Sequence, residues 1–174
     1  IGQKLHIAFK RYLPLEHKGL INEVIRHYRQ WYMEKDLEGT QFEPLFKNVK
    51  PVLKTLYQDG WSLGIATNKS MRGLNRGLLH HEIEKFFSII MTADDFTPKP
   101  DKAMAIHALR TLKVKNSDAF MIGDTVYDIM MGKNAKINTV GVTWGYNTKE
   151  ELHHANADHI IHDPNELVEI LRKL

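Results

Sequence analysis

Ala119-Phe-Met-Ile-Gly-Asp-Thr-Val-Tyr-Asp128 is the stretch that decides the fold of this chain. Its first four residues are apolar without interruption, the pattern of a strand buried on both faces of a sheet. Gly123 ends the strand, and Asp124 and Asp128 follow four residues apart across a strand-to-helix turn. A helix starting near Thr125 lets both carboxylates face the mouth of that turn. In an open α/β sheet, ligands bind outside the carboxyl ends of the strands. Two carboxylates at such a position suit a hard cation such as magnesium, which takes oxygen ligands and bridges to phosphates. The same short pattern also fits a plain turn with two solvated aspartates, so the surrounding sequence has to choose between them.

Outward from this stretch the chain alternates helix and strand. Upstream, Asn48 opens a helix with Val49, Val52, Leu53, Leu56 and Tyr57 on one face, and Asp59-Gly60 stops it. Trp61–Thr67 reads as a strand, followed by a helix from about Ser70 to His80. Phe87–Thr92 is the next strand, and Asp101 caps a helix carrying Met104, Ala105, Ala108, Leu109 and Leu112. Downstream, Asn138–Trp144 is a strand and Thr148-x-x-Glu151 a capping box. Asp158–His162 is a short strand, and Asp163-Pro164-x-Glu166 opens the last helix. Strands separated by helices of this length imply a parallel sheet covered on both faces, a three-layer doubly wound α/β fold.

Residues 1–43 differ. They carry helical periodicity and no strand signal: one helix ended by Pro14, then a second from about His17 to Leu37. In the second, Leu20, Ile21, Val24, Ile25, Tyr28, Trp31 and Tyr32 form an apolar stripe that suits helix packing or a lid over a ligand. The expected division is therefore a helical segment over 1–43 and an α/β unit over 44–174.

Composition excludes several classes. The 174 residues are 43% hydrophobic and 26% charged with a net charge of +3, and there is no cysteine. That balance is that of a globular protein with no disulfide and no thiolate metal site. No basic run points to nucleic acid, no stretch reaches the ~18 apolar residues of a membrane span, and no signal peptide is visible. A cytoplasmic setting is the expectation.

Three strand ends bear chemistry. Thr67-Asn68-Lys69-Ser70 places a hydroxyl and an amide ahead of a helix N-terminus, the makings of a phosphate cradle. Thr97-Pro98-Lys99-Pro100 holds one lysine in an extended loop. Asp124 and Asp128 complete the set. Together, in this order on successive strands, they supply the positioning and charge neutralisation that phosphoryl transfer demands.

In these segments the sequence resembles the haloacid dehalogenase (HAD) superfamily of phosphatases. Thr67-Asn68, Lys99-Pro100 and Gly123-Asp124-Thr125-x-x-Asp128 look like its second, third and fourth motifs. Asn68–Leu74 and Thr139–Gly145 further resemble its phosphoglycolate phosphatase-like branch. The resemblance implies a Rossmann-type core with a partial helical cap over residues 1–43. It implies that Thr67 holds a phosphoryl oxygen with Asn68 beside it, and that Lys99 neutralises the nucleophile and the phosphoryl charge. It also implies that Asp124 binds Mg2+ and that Asp128 supports the metal site. The expected partner is a small phosphorylated metabolite, with no nucleic acid and no membrane. Lys102 departs from the family, which often has a second proline there.

The family's first motif, an Asp-x-Asp whose first aspartate attacks phosphorus, has no match before Thr67. Asp36 is the sole aspartate ahead of Asp59, and it follows no apolar strand. The resemblance places the missing strand mid-sheet, between the strand ending at Thr67 and the strand ending at Gly123. Without it two strands would each present unpaired backbone groups, at ~1–3 kcal/mol for each one buried. Two functional readings follow: a magnesium-dependent phosphomonoester hydrolase, or a non-catalytic phosphate-binding or interaction protein derived from one. A receiver-like signalling domain shares the layout but carries its acidic residues early rather than late. The DNA ahead of the codon for Ile1 is expected to continue in frame through an apolar strand ending in Asp-x-Asp. A start codon at Ile1 with no such segment before it would favour the non-catalytic reading.

Overall fold

The computed structural model describes residues 9–10, 13–37 and 43–173. The chain divides into two compact units, with the boundary between Pro44 and Leu45. The expected first helix lies mostly outside the described residues. In the first unit a 3₁₀ turn, Leu15–Leu20, leads into helix α1, Ile21–Leu37. The apolar stripe is divided here. Ile21 and Ile25 are buried, whereas Leu20, Tyr28 and Trp31 stay partly exposed and line an open apolar groove with Phe9 and Val24. The Phe9 and Tyr28 rings meet edge to face at 5.8 Å.

The second unit alternates as its sequence pattern requires: α2 (Val49–Gln58), β1 (Leu63–Thr67), α3 (Met71–His80), β2 (Phe87–Thr92), α4 (Ala103–Leu112), β3 (Phe120–Gly123), α5 (Val126–Ala135), β4 (Asn138–Val142), α6 (Lys149–His154), β5 (His159–Ile161) and α7 (Pro164–Lys173). All pairing is parallel. β1 runs beside β2 with Thr67 opposite Thr92, and β4 lies between β3 and β5 with Gly123 opposite Gly141. Among the described residues β1 and β3 form no ladder, so there are two sheets, β1-β2 and β3-β4-β5. The break falls where the resemblance places a further strand, and the two flanking strands have not closed up on each other. Ile122, midway along β3, is accordingly 36% exposed, unusual for a parallel strand.

Side chains alternate across both sheets, which gives three layers. On one face Ala66, Ile89, Met91 and Met121 pack with Met104 and Ala105 of α4 and Met131 and Ala135 of α5. On the other, Leu63 and Phe120 pack with Val52 and Leu56 of α2 and Leu171 of α7, and Val140 and Val142 pack with Leu167 and Ile170. The core therefore spans both sheets although no backbone bond joins them. Gly132 marks where α5 comes closest to β3 and β4: a Cβ there would collide with Thr139 Cγ2 and Met121 Cβ.

Helix ends largely follow the sequence signals. Thr148 and Glu151 form the expected capping box, and Glu166 Oε1 accepts from the backbone N–H groups of His162 and Asp163. Two expected caps differ. Asn48 stands at the N-cap of α2 in a left-handed conformation, and its amide turns to Asp163 rather than to the helix. Asp101 accepts from Ala103 N–H, but the N-cap position itself is Lys102.

Asp158 ties β5 to β4. Its carboxylate accepts from Thr139 N–H at 2.9 Å and Oγ1 at 2.7 Å and pairs with Lys133 of α5. Burial pushes this carboxyl up, but the hydrogen bonds from Lys133 and Thr139 outweigh it and leave it below the usual range. A carboxyl depressed on folding stabilises above its unfolded pKa of ~3.9 and loses that contribution as pH falls through the folded value. Asp158→Asn should therefore lower stability near neutral pH, and the deficit should shrink as the solution is acidified below the usual carboxylate range. Urea unfolding across that range checks the sign.

Candidate active site

The carboxyl ends of β1, β2 and β3 bring Asn68, Lys99 and Asp128 together. Asn68 lies just past β1, and its amide grips the backbone of Lys99. Oδ1 accepts from Lys99 N–H at 2.9 Å and Nδ2 donates to the Lys99 carbonyl at 3.5 Å. From the opposite side Asn134 of α5 donates to the Pro100 carbonyl at 3.0 Å. The Lys99-Pro100 loop, which contains a cis peptide bond at that step, is thus held at both flanks by side-chain amides. Its ammonium reaches Asp128 Oδ1 at 2.6 Å, with the two side chains only 12% and 4% exposed. A charge pair this deeply placed requires its remaining acceptor capacity to be met by fixed donors.

Thr125 meets it. Its N–H at 3.0 Å and its hydroxyl at 2.6 Å both donate to Asp128 Oδ2, while Asp128 N–H approaches Thr125 Oγ1 at 3.4 Å. This is a capping box at the N-terminus of α5. It turns Asp128 back over the end of β3, and only a glycine allows that return. A Cβ on Gly123 would fall inside the Asp128 side chain.

Asp124 is gripped differently. Its Oδ2 accepts from Tyr146 N–H at 3.0 Å, its carbonyl accepts from Asn147 N–H at 3.1 Å, and the neighbouring Val126 N–H donates to Asn147 Oδ1 at 3.0 Å. Gly145 passes so close that a Cβ there would collide with the Asp124 carboxylate. Asn147 Nδ2 donates in turn to Glu151 of α6 at 2.8 Å. Backbone hydrogen bonding at Thr148, followed by the Asn147 amide, holds the Glu151 carboxyl below its usual range.

The sequence-predicted residues fall into distinct positions. Lys99 and Asp128 touch, and Asp124 comes one residue before Thr125, the cap that holds Asp128. Thr67 ends β1 next to Asn68, and its hydroxyl accepts from Lys69 N–H at 3.2 Å, leaving its own proton to donate. Asn68 grips the Lys99 backbone, so its side chain positions the lysine loop. The helix N-terminus expected to cradle phosphate is also engaged: Met71 N–H donates to Asp94 Oδ2 at 2.8 Å, and Ser70 Oγ accepts from Gly73 N–H. Residues the sequence reading passed over are Asn134, Tyr146, Asn147 and, as a cap, Thr125. Thr125-x-x-Asp128 has capping-box spacing, a signal that could have placed Asp128.

A hard divalent cation fits this donor set. Among the described residues no group of three or more His, Cys, Asp or Glu side chains converges as a cage, but magnesium commonly binds through one or two carboxylates and keeps several waters. Asp124 offers one: Oδ2 is held by a backbone N–H, and Oδ1 accepts no hydrogen bond from the described residues.

Comparison with known proteins agrees with this architecture. The family model of the haloacid dehalogenase-like hydrolases matches residues 1–142, and the chain belongs to that family. By family it is a phosphatase-class hydrolase. It is 34% identical over 151 residues to a pyrophosphatase PpaX of Bacillus velezensis, covering 86% of this chain and 68% of the relative. It is 31% identical over 156 residues to a phosphoglycolate phosphatase of Psychrobacter arcticus, covering 88% and 68%. The solved structure of a haloacid dehalogenase-like family hydrolase from Streptococcus pneumoniae superposes with a TM-score of 0.83 at 26% identity, over 97% of this chain and 77% of that one.

Two glycine substitutions separate site packing from helix propensity. Gly123→Ala should cost ~1–3 kcal/mol, because the new methyl displaces Asp128 from its cap. Gly77→Ala, on α3 with open space around it, should be neutral or stabilise by up to ~1 kcal/mol. Urea unfolding of the two variants side by side is the measurement, and equal stabilities would contradict the packing read at Gly123.

Proposed function

We propose that residues 44–174 form the phosphate- and magnesium-binding core of a phosphatase acting on a small phosphomonoester, phosphoglycolate-like in size, and that residues 1–43 belong to its helical cap. The observation that carries this reading is the Lys99–Asp128 pair at 2.6 Å on the same strand-to-helix turn as Asp124, one oxygen of which accepts no hydrogen bond from the described residues. Phosphatases of this family generally use Mg2+. Asp124 is the ligand in this reading, through Oδ1. Asp128 does not need to bind the ion directly: it supports the site by fixing the ammonium of Lys99. Bound magnesium would neutralise charge on the phosphoryl oxygens. Lys99 supplies a second positive charge from a loop locked by Asn68 and Asn134, and Thr67 offers a hydroxyl proton to a phosphoryl oxygen. Such preorganised donors stabilise a transition state because they need no reorientation when charge develops.

The family's covalent step passes through an aspartyl phosphate, and no residue of this chain matches that nucleophile. The step is therefore assigned to none of them. Pyrophosphate is the second substrate reading, favoured by the relatives that carry the name PpaX.

The test uses the 174-residue chain and the same chain preceded by a strand ending in Asp-x-Asp, each assayed with phosphoglycolate and with pyrophosphate. Turnover is expected in the extended protein alone and only with Mg2+. There Lys99→Ala and Asp124→Asn should each lower the rate by ~10²–10³. Near-normal rates in both variants would remove the assigned roles. Turnover by the 174-residue chain that Asp124→Asn abolishes would mean that a nucleophile lies within it.

A further inference from the structure

The loop that follows β4 reaches the turn bearing Asp124 by three hydrogen bonds, two of them to Asp124 itself. Tyr146 N–H donates to Oδ2 of the carboxylate, Asn147 N–H donates to the Asp124 carbonyl, and Asn147 Oδ1 accepts from Val126 N–H. Gly145 lies against the Asp124 side chain so tightly that no other residue fits. Asn147 is the member that joins this loop to a rigid element. Its Nδ2 donates at 2.8 Å to Glu151 Oε2, and that same oxygen accepts from Thr148 N–H in the capping box of α6. One side chain thus connects the turn bearing Asp124 to the start of a neighbouring helix.

The consequence concerns which oxygen of Asp124 is available. A carboxylate free to rotate offers either oxygen and pays the entropy of choosing when it binds. With Tyr146 N–H on Oδ2, the side chain is oriented beforehand and Oδ1 remains. The N–H that does this belongs to the backbone immediately before Asn147, so its position depends on where Asn147 is anchored. Groups that orient a metal-binding carboxylate without touching the ion typically change metal affinity by ~10–100-fold when removed.

We propose that Asn147 is a positioning residue for the divalent cation held by Asp124: by bridging Val126 N–H and Glu151 it keeps Tyr146 N–H on Oδ2 and presents Oδ1 to the ion. This rests on the reading of Asp124 as the ligand given above.

The experiment measures Mn2+ binding to the 174-residue chain by water-proton relaxation, with far-UV circular dichroism to confirm that each variant folds. Asn147→Ala should weaken Mn2+ binding by ~10-fold or more. Glu151→Ala removes the oxygen that anchors Asn147 Nδ2 and should weaken Mn2+ binding in the same direction, whereas Glu151→Gln keeps one oxygen for both Asn147 Nδ2 and Thr148 N–H and should leave the affinity close to that of the unaltered chain. Asp158→Asn, which loosens β4 and β5 without touching the loop, should leave it unchanged. Wild-type affinity in Asn147→Ala, or equal affinity in Glu151→Ala and Glu151→Gln, overturns the positioning role. If Asp124→Asn keeps full Mn2+ affinity, the ligand assignment itself falls, whatever Asn147 does. If Asp124→Asn loses it and Asn147→Ala does not, only the positioning role falls. No saturable Mn2+ binding by the unaltered chain overturns both.

Discussion

The ion pair between Lys99 and Asp128 is the constraint around which the α/β unit is arranged. Two opposite charges removed from water are costly to bury, and their mutual attraction compensates only when geometry is fixed and the other lone pairs are satisfied. Here every surrounding element contributes to that condition. Asn68 from the end of β1 fixes the lysine's backbone, Asn134 from α5 fixes the Pro100 carbonyl next to it, and Thr125 at the N-cap of α5 occupies the second oxygen of Asp128. Gly123 leaves the room in which Asp128 can fold back. The pair also bridges the break in the sheet, because Lys99 follows β2 and Asp128 follows β3.

This arrangement separates two tasks that a pair of nearby carboxylates could have shared. Asp128 is buried, doubly anchored and neutralised by an ammonium. Asp124 is held only through one oxygen and the backbone, by a loop from the next strand. The two carboxylates of the turn therefore differ: one is committed to Lys99, and the other keeps an oxygen that accepts no hydrogen bond from the described residues. Four residues of separation across a helix start are what allow the difference. Asp124 precedes the N-cap and projects from the turn, while Asp128 sits at the third helical position and points back to its own cap.

The core is built to tolerate this site at its edge. Met104, Met131 and Ile129 are fully buried, and the clusters on both sheet faces include residues from β1 and β3 alike. Side-chain packing thus holds the two sheets in one unit while no ladder joins them. Helices α4 and α5 carry much of that connection on one face, α2 and α7 on the other. The charged residues of the site lie past the carboxyl ends of β2 and β3.

The sequence by itself determined the alternation of strand and helix, the doubly wound class and the identity of Lys99, Asp124 and Asp128 as residues of interest. Those follow from apolar periodicity and from glycine and aspartate at a strand end, all local properties of a few consecutive residues. It also marked the capping box at Thr148 and the Asp163–Glu166 start of the last helix, which depend on neighbours three positions apart. Tertiary structure decided what each polar group does. Asn68 follows Thr67 in a pattern that suits an anion, and its amide grips a backbone thirty-one residues away. Asn48, well suited to cap, faces Asp163 instead. Asn147 and Asn134 have no local signature, because an amide's role depends on which backbone lies within ~3 Å of it. That distance is set by how strands and helices pack, and no periodicity along the chain records it.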